Sequence, residues 1–146
     1  KDFDTGERLQ VSSAVQAVCD FFGPTDFLQM SKFPSTIPHD SPTSPESKLI
    51  GGAIQEHKEK VARANPLTFV SRGDAPFLIL HGDKDPLVPY DHALRLHAAL
   101  TKAGVPNQLL TIPNGAHGNF TPEERTKIFA TIREFLAAHG LPASNP

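Results

Sequence analysis

Two aspartates and one histidine are the residues of this sequence best placed for acid–base chemistry. Asp83 and Asp85 lie in "FLILHGDKDPLVP" (77–89), directly after an apolar run that predicts a buried strand. His117 lies in "NGAHGNF" (114–120), after the next predicted strand. Because the carboxyl ends of parallel strands meet at one edge of a sheet, we expect the Asp and the His to lie close together. Such a pair is the orienting acid and the base of a hydrolytic triad, in the chain order acid then histidine.

Each of these side chains also has a simpler interpretation, which the spacing alone leaves open. An Asp after a strand is most often a turn former or a helix cap, and a His in a glycine-rich loop is most often a surface residue. The choice depends on the surrounding elements and on what else the sequence contains.

Three apolar segments predict the strands that position these residues. They are "SAVQAVCDFFG" (13–23), "PFLILHG" (76–82) and "NQLLTIP" (107–113). The nearly continuous apolar run of the first segment is typical of a strand buried on both faces, as in parallel sheets. A sheet of so few strands is narrow, and we expect an unprotected edge at the first one.

Two amphipathic segments predict helices after the second and third strands. In residues 91–104, Asp91 is a plausible cap and Gly104 the stop, and residues 121–140 begin with a capping box. The predicted buried stripes are Ala93, Leu96, His97 and Leu100 in the first helix, and Ile128, Ile132, Phe135 and Leu136 in the second. Alternating strands and helices of this kind predict an α/β fold with a parallel sheet and right-handed crossovers.

A long proline-rich segment, residues 25–66, separates the first strand from the second. Ser44-Pro45 predicts a short helix that stops at Gly51, and a second helical run is expected over Glu56–Ala64. We interpret residues 1–146 as one domain in which residues 25–66 form a cap-like excursion. Its apolar side either covers a site at the rim or anchors the segment to the core; the residues concerned are Phe27, Leu28, Met30 and Phe33.

Composition excludes several classes of function. Hydrophobic residues make up 38% and charged residues 21% of the 146, as in ordinary globular domains. A net charge of −2 makes nucleic acid an unexpected partner, and no apolar run approaches the ~18 residues that would span a membrane. The first residues, "KDFDTGERLQ", read as a charged surface loop with no signal-peptide pattern, so a secreted and a cytoplasmic location both remain open.

The sequence predicts no metal site and no cofactor. Cys19 is the only cysteine and is best read as a small hydrophobic residue on a strand. The other histidines have no matched spacing with Cys or acidic residues that would suggest metal ligands; they are His39, His57, His92, His97 and His139.

Several motifs together resemble the C-terminal half of an α/β-hydrolase. His-Gly-x-x-Asp-x-x-Val-Pro is followed by Gly-x-His-Gly, and "VCDFFGPTDF", "SPESKLIGG" and "ARANPLTFVSRGDAPFLILHGDKDPLVP" occur in order. More narrowly, these segments resemble the bifunctional feruloyl/acetyl-xylan esterases and related acetylesterases. The resemblance implies the C-terminal portion of a parallel-sheet α/β-hydrolase fold and hydrolysis of acetyl, feruloyl or other short-chain esters, including those of carbohydrates. It implies no metal or organic cofactor.

The same resemblance assigns roles to individual residues. Asp85 would be the acid that orients His117, and His117 would be the base, while Asp83 occupies a variable position. His81 would be a structural, hydrogen-bonding residue of the turn. Asp26 is either a turn residue or a group that lines the mouth of the site and contacts substrate.

The nucleophile of such enzymes is a serine in a Gly-x-Ser-x-Gly elbow, which this sequence lacks. No serine has glycine two residues before and two after it; the serines are Ser12, Ser13, Ser31, Ser35, Ser41, Ser44, Ser47, Ser71 and Ser144. We therefore expect the serine and the oxyanion donors to come from an N-terminal half of the fold, on the same parent chain or a co-purified fragment.

Two rival interpretations remain. A prolyl-oligopeptidase-type serine peptidase shares the same acid and histidine pattern. A non-catalytic α/β module that serves binding or assembly would keep the sheet without the chemistry. In every case the exposed strand edge favours homo-oligomerisation or aggregation unless the rest of the fold covers it.

Overall fold

The protein, described by a computed structural model over residues 5–141, contains three strands and four α-helices in that range. The first four residues of the predicted N-terminal loop, and Ser144, lie outside the described residues. The strands are β1 (Val18–Phe21), β2 (Phe77–Gly82) and β3 (Asn107–Ile112). The helices are α1 (Pro45–Ile50), α2 (Lys58–Ala64), α3 (Asp91–Ala103) and α4 (Pro122–Ala138), with short 3-10 helices at Phe27–Lys32 and Pro66–Phe69.

The strands form one parallel sheet in the order β1-β2-β3, which confirms the predicted α/β fold class. Strand β2 is central, and its side chains alternate between two apolar layers because successive residues of a strand point to opposite faces. Leu78 and Leu80 pack with Ile128 and Phe135 of α4, whereas Ile79 packs against α3. Each fully buried Leu or Ile contributes about 1.5–3 kcal/mol, so this double layer holds the end of β2 firmly.

Strand β1 differs from its prediction. It is shorter than the apolar run suggested, because Val15 precedes it and is 60% exposed, and the strand itself is not fully buried, since Phe21 is 38% exposed. Cys19, predicted as a small hydrophobic residue, is half-buried and contacts the α4-side layer. The physical reason is position: β1 is at the edge of the sheet and pairs only with β2 among the described residues.

The N-terminal caps were predicted correctly in α1 and α4 and wrongly in α3, whose predicted stop at Gly104 is confirmed. The Ser44 and Thr121 hydroxyls accept hydrogen bonds from the backbone, and Thr121 completes its capping box with Glu124. In α3, Asp91 is not the cap: it is the first helical residue and pairs with Arg95 one turn later. His97 of the predicted stripe is only half-buried, and His92 is fully buried in its place.

The excursion has an apolar cluster of its own. Phe27, Met30, Ile54 and Val61 are buried together with Val88, which follows β2. This contact supports the anchoring interpretation of the apolar residues for Phe27 and Met30, and it fixes the segment beside the loop that carries Asp85. In the part of the chain that the structure describes, no helix combines the length and apolarity that crossing a membrane requires.

Candidate active site

The loops after β2 and β3 are joined directly at the carboxyl edge of the sheet. The Lys84 N–H donates to the carbonyl of Gly115 at 3.0 Å, and the Asn114 N–H donates to Asp83 Oδ1 at 2.7 Å. Gly82 makes this approach possible, because a Cβ at that position would lie 2.2 Å from the Gly115 oxygen. The missing side chain at the end of β2 therefore lets the two loops meet.

Asp85 is held by backbone donors on one oxygen and by a histidine on the other. Its Oδ1 accepts hydrogen bonds from the N–H groups of Leu87 (2.8 Å) and Val88 (3.0 Å). Its Oδ2 accepts from Nδ1 of His117 at 2.7 Å, and its side chain is 0% exposed. A buried carboxylate with these donors has one orientation, which is what an orienting acid requires.

His117 presents its second nitrogen to the rim. Its side chain is 30% exposed, and Nε2 has no hydrogen-bond partner among residues 5–141. The ring of Phe22 packs on it with centroids 4.3 Å apart. Phe22 adopts a φ of 46° and Gly118 a φ of 79°, both in the left-handed region, so the chain bends at β1 and β3 to bring ring and loop together. This arrangement leaves Nε2 able to accept a proton.

His81, predicted as a hydrogen-bonding residue of the turn, has that role in the structure. Its Nε2–H donates to the Val88 carbonyl at 3.0 Å and lies 3.3 Å from Asp85 Oδ2. Burial lowers the pKa of His81, opposed by the Val88 hydrogen bond and the charge of Asp85. A neutral His81 with its proton on Nε2 supports the acid without placing a second cation beside it.

The two neighbouring aspartates have different environments. Asp83 accepts the Asn114 N–H at the surface and does not contact His117, as expected for a variable position. Asp85 is buried and contacts His117 directly.

Asp26, the predicted substrate-contacting residue, lies against α3. Its N–H donates to His92 Nδ1 at 3.2 Å, and its carboxylate lies 3.7 Å from Arg95. Burial raises the pKa of Asp26, and the charge of Arg95 opposes the shift. These contacts fit a residue that joins the excursion to α3; a role toward substrate stays a prediction.

Ser35, His39 and Glu46 form a serine–histidine–acid arrangement within the excursion. Ser35 Oγ lies 3.0 Å from His39 Nε2, and His39 Nδ1 lies 3.1 Å from Glu46 Oε2. However, His39 is 0% exposed, and its Nε2 also contacts the Leu87 carbonyl at 3.0 Å. A carbonyl accepts only, so Nε2 carries a proton there and has no lone pair to activate the serine.

An open pocket of about 590 Å³ lies beside the Asp85 turn, between the excursion and the start of α3. Its walls include Phe33, Pro34, Thr36, Lys84, Pro86 and Tyr90. His117 does not line this pocket, so the pocket adjoins the acid side of the pair rather than the base. Within residues 5–141, no group of three or more His, Cys, Asp or Glu side chains could hold a metal ion.

Sequence reasoning missed the groups that surround the pair. The packing of Phe22 on His117 depends on a left-handed backbone that a phenylalanine rarely adopts, so no pattern signals it. The buried His39–Glu46 pair has a weak signal, a His and a Glu separated by seven positions on either side of a helix cap. That spacing is common in loops and indicates no particular function.

Comparisons with known proteins show which family the chain belongs to. A family model named BD-FAE matches residues 2–100, and an α/β-hydrolase model described as TAP-like protein matches residues 55–146. Among curated relatives, "Esterase LipQ" of Mycobacterium tuberculosis is 38% identical over 53% of this chain and 17% of its own length. "Uncharacterized peptidase YuxL" of Bacillus subtilis is 32% identical over 58% of this chain and 13% of its own length.

A solved structure, a truncated carbohydrate esterase from gut microbiota, superposes with a TM-score of 0.79. It is 30% identical, and the match covers 92% of this chain and 46% of that one. The chain thus spans about half of the solved esterase, and 13% and 17% of the two curated relatives. Each of the two family models matches more than half of the chain. The parallel sheet and the Asp–His pair at its rim are consistent with the same family. The chain belongs to the α/β-hydrolases, within the esterases represented by the BD-FAE family.

Proposed function

We propose that this chain supplies the acid and the base of a serine-type carboxylic-ester hydrolase. The observation that carries the proposal is the hydrogen bond of 2.7 Å between His117 Nδ1 and the fully buried carboxylate of Asp85. A base in such a site must hold one nitrogen fixed and offer the other to the nucleophile, and His117 does both.

In this mechanism His117 moves protons and Asp85 keeps it oriented. His117 Nε2 takes the proton of a serine hydroxyl as the serine oxygen bonds to the ester carbonyl carbon. The resulting imidazolium faces the Asp85 carboxylate and then gives its proton to the leaving alcohol. The same nitrogen next takes a proton from water, whose oxygen bonds to the acyl carbon, and returns it to the serine oxygen as the acid leaves.

The serine and the oxyanion donors come, in this proposal, from residues outside these 146. The chain has no Gly-x-Ser-x-Gly elbow, and the one described serine hydrogen-bonded to a buried histidine, Ser35, faces a nitrogen that carries a proton. An N-terminal half of the fold beside the free edge of β1 would supply both. The substrates we propose are acetyl, feruloyl or other short-chain esters, including carbohydrate esters, as the resemblance and the gut carbohydrate esterase suggest.

A serine peptidase is the second candidate, and a specific observation favours it: a curated relative at 32% identity is named a peptidase. Acid, histidine and acyl-enzyme chemistry are common to both functions. They differ in the leaving group, an alcohol in one and an amine in the other, so paired substrates with the same acyl group distinguish them.

The test is intact-mass spectrometry of the purified protein that contains this chain, before and after exposure to a fluorophosphonate. One covalent adduct, lost in His117→Asn and retained in the matched variant His97→Asn, supports the proposal. An adduct-free protein that hydrolyses neither p-nitrophenyl acetate nor an aminoacyl anilide contradicts it and favours a non-catalytic module. Faster cleavage of the anilide than of the ester would favour the peptidase.

A further inference from the structure

The turn that follows Asp85 is held from both sides. The Pro86–Leu87 and Leu87–Val88 peptide units each donate their N–H to Asp85 Oδ1, at 2.8 and 3.0 Å. The orientation of these two peptide planes therefore decides where the carboxylate lies.

The carbonyls of the same two peptide units are bound by the excursion. Pro86 O accepts from the Thr36 N–H at 2.8 Å and from the Thr36 hydroxyl at 3.0 Å. Leu87 O accepts from the Ser35 hydroxyl at 2.9 Å and from His39 Nε2 at 3.0 Å. Each peptide plane thus has its N–H on the acid and its C=O on the excursion.

His39 is itself fixed at its other nitrogen. Its Nδ1 lies 3.1 Å from Glu46 Oε2, at the start of α1, and both side chains are buried. Ser35 Oγ accepts the Ile37 N–H at 3.1 Å, so the hydroxyl proton is free to point to the carbonyls. Chains of hydrogen bonds of this kind strengthen one another in a low-dielectric interior.

We propose that His39 is a positioning residue for Asp85, acting through Leu87 with Ser35 as its partner. The excursion then does more than cover the rim: it sets the angle of the two peptide planes that orient the acid. This inference rests on the proposed function for its catalytic consequence, whereas its structural part can be measured without any enzyme assay.

The experiment compares two matched pairs of variants, and a His39→Phe/Glu46→Gln double variant, in the protein that contains this chain. His39→Gln removes the ring but leaves Glu46 a polar neighbour; its control is His92→Gln, an equally buried histidine that binds the excursion at Thr25 and Asp26. Ser35→Ala removes the hydroxyl on Leu87 O; its control is Ser41→Ala, whose hydroxyl contacts only Thr43.

The first readout is amide hydrogen exchange at Leu87 and Val88, measured relative to the global unfolding rate. Losing one buried hydrogen bond raises the population of the locally open state about tenfold. We therefore expect exchange at Leu87 and Val88 to rise about tenfold in Ser35→Ala, and by more in the His39→Phe/Glu46→Gln double variant. In the two controls, the exchange rate at Leu87 and Val88 should stay within about twofold of the parent protein. His39→Gln, which can still donate to Leu87 O, should fall between.

The second readout is ester hydrolysis. Ser35→Ala should lower kcat about tenfold with KM little changed, and the acid limb of the pH–rate profile should shift, since His117 loses part of its support. Unchanged exchange at Leu87 and Val88 in Ser35→Ala and in the double variant would overturn the inference. Changed exchange in a protein without hydrolase activity would refute the proposed function alone, and the positioning of Asp85 by the excursion would stand.

Discussion

Two of the acid–histidine pairs in this region, Asp85–His117 and His39–Glu46, differ in the surroundings of the second histidine nitrogen. His117 Nδ1 lies 2.7 Å from Asp85 Oδ2. The His117 side chain is 30% exposed, and its Nε2 has no hydrogen-bond partner among the described residues. His39 Nδ1 lies 3.1 Å from Glu46 Oε2. His39 is fully buried, and its Nε2 is hydrogen-bonded to the Leu87 carbonyl. A histidine beside a carboxylate becomes a base only where its second nitrogen has a lone pair and access; otherwise it ties the backbone together.

The acids differ as well. Asp85 is held by two backbone N–H groups of its own turn, whereas Glu46 lies in the first turn of α1 and contacts one histidine. The two backbone donors occupy Oδ1 of Asp85, and Oδ2 faces the two histidines, His117 at 2.7 Å and His81 at 3.3 Å. The pair that is proposed to do chemistry is therefore the one with the better-fixed acid.

The sharpest way to break this comparison is to remove each partner of the reactive pair. His117→Asn and Asp85→Asn should each lower kcat for an ester by on the order of 10³–10⁴, because the base or its orientation is lost. His97→Asn, at a half-buried histidine of α3 that contacts Asn107, is the matched control and should stay within about threefold. Steady-state hydrolysis of a chromogenic ester measures all three, and full activity in either site variant would exclude that residue from catalysis.

A larger side chain at Gly82 should separate the two loops that carry the pair. In Gly82→Ala, the added Cβ meets backbone atoms of Gly115 at 2.2 and 2.4 Å, so we expect a loss of about 3 kcal/mol in the free energy of unfolding. Gly52→Ala is the control, because the nearest atoms that its Cβ would meet belong to the side chain of His57, which can rotate away. Urea unfolding compares them; equal stabilities would mean that the loops are not held by this approach.

His92 extends the comparison to a histidine that accepts rather than donates. Its Nδ1 accepts the N–H groups of Thr25 and Asp26, and burial lowers its pKa to about 4. Since the unfolded chain takes up the proton first, near 6.5, stability falls as the pH drops from about 6.5 toward about 4, by on the order of 2 kcal/mol. Above that window this contribution does not change with pH.

The measurement is the free energy of unfolding of the parent protein and of His92→Gln between pH 7 and pH 4.5. The variant should be less stable at pH 7 but lose less stability on acidification. Taking the difference removes the opposite contribution of Asp20, whose pKa burial raises. Parallel curves for the two proteins would contradict the assignment.

Substitution of Asp83 has the smallest expected effect, and it distinguishes the role of Asp83 from that of Asp85. Asp83→Ala removes the exposed hydrogen bond to the Asn114 N–H, which should cost about 0.5–1.5 kcal/mol of stability. Ester hydrolysis should remain within about threefold of the parent. A loss comparable with that of Asp85→Asn would show that the loop contact, rather than Asp85 alone, places His117.

Sequence patterns were sufficient for the parallel sheet, the capped helices α1 and α4 and the meeting of Asp85 with His117. Each of these depends on local information: strand ends of a parallel sheet share an edge, and capping residues act on the next turn of their own helix. The patterns failed where contacts with other parts of the structure determine the exposure or the hydrogen bonding of a residue. An apolar run like that of β1 suits a central strand, yet the structure exposes Val15 and Phe21 at an edge. Asp91 has the chemistry of a cap, yet Arg95 binds it.

By itself, the sequence determined the fold class and predicted that Asp83, Asp85 and His117 share one rim, because motif spacing along neighbouring strands carries that information. Its resemblance to the α/β-hydrolases then singled out Asp85 and His117 as the proposed acid and base. Only the tertiary structure showed the surroundings of the second ring nitrogen of each histidine, which meets the Leu87 carbonyl in His39 and the open rim in His117. The contact of His39 joins positions 48 residues apart, a separation at which no local pattern operates.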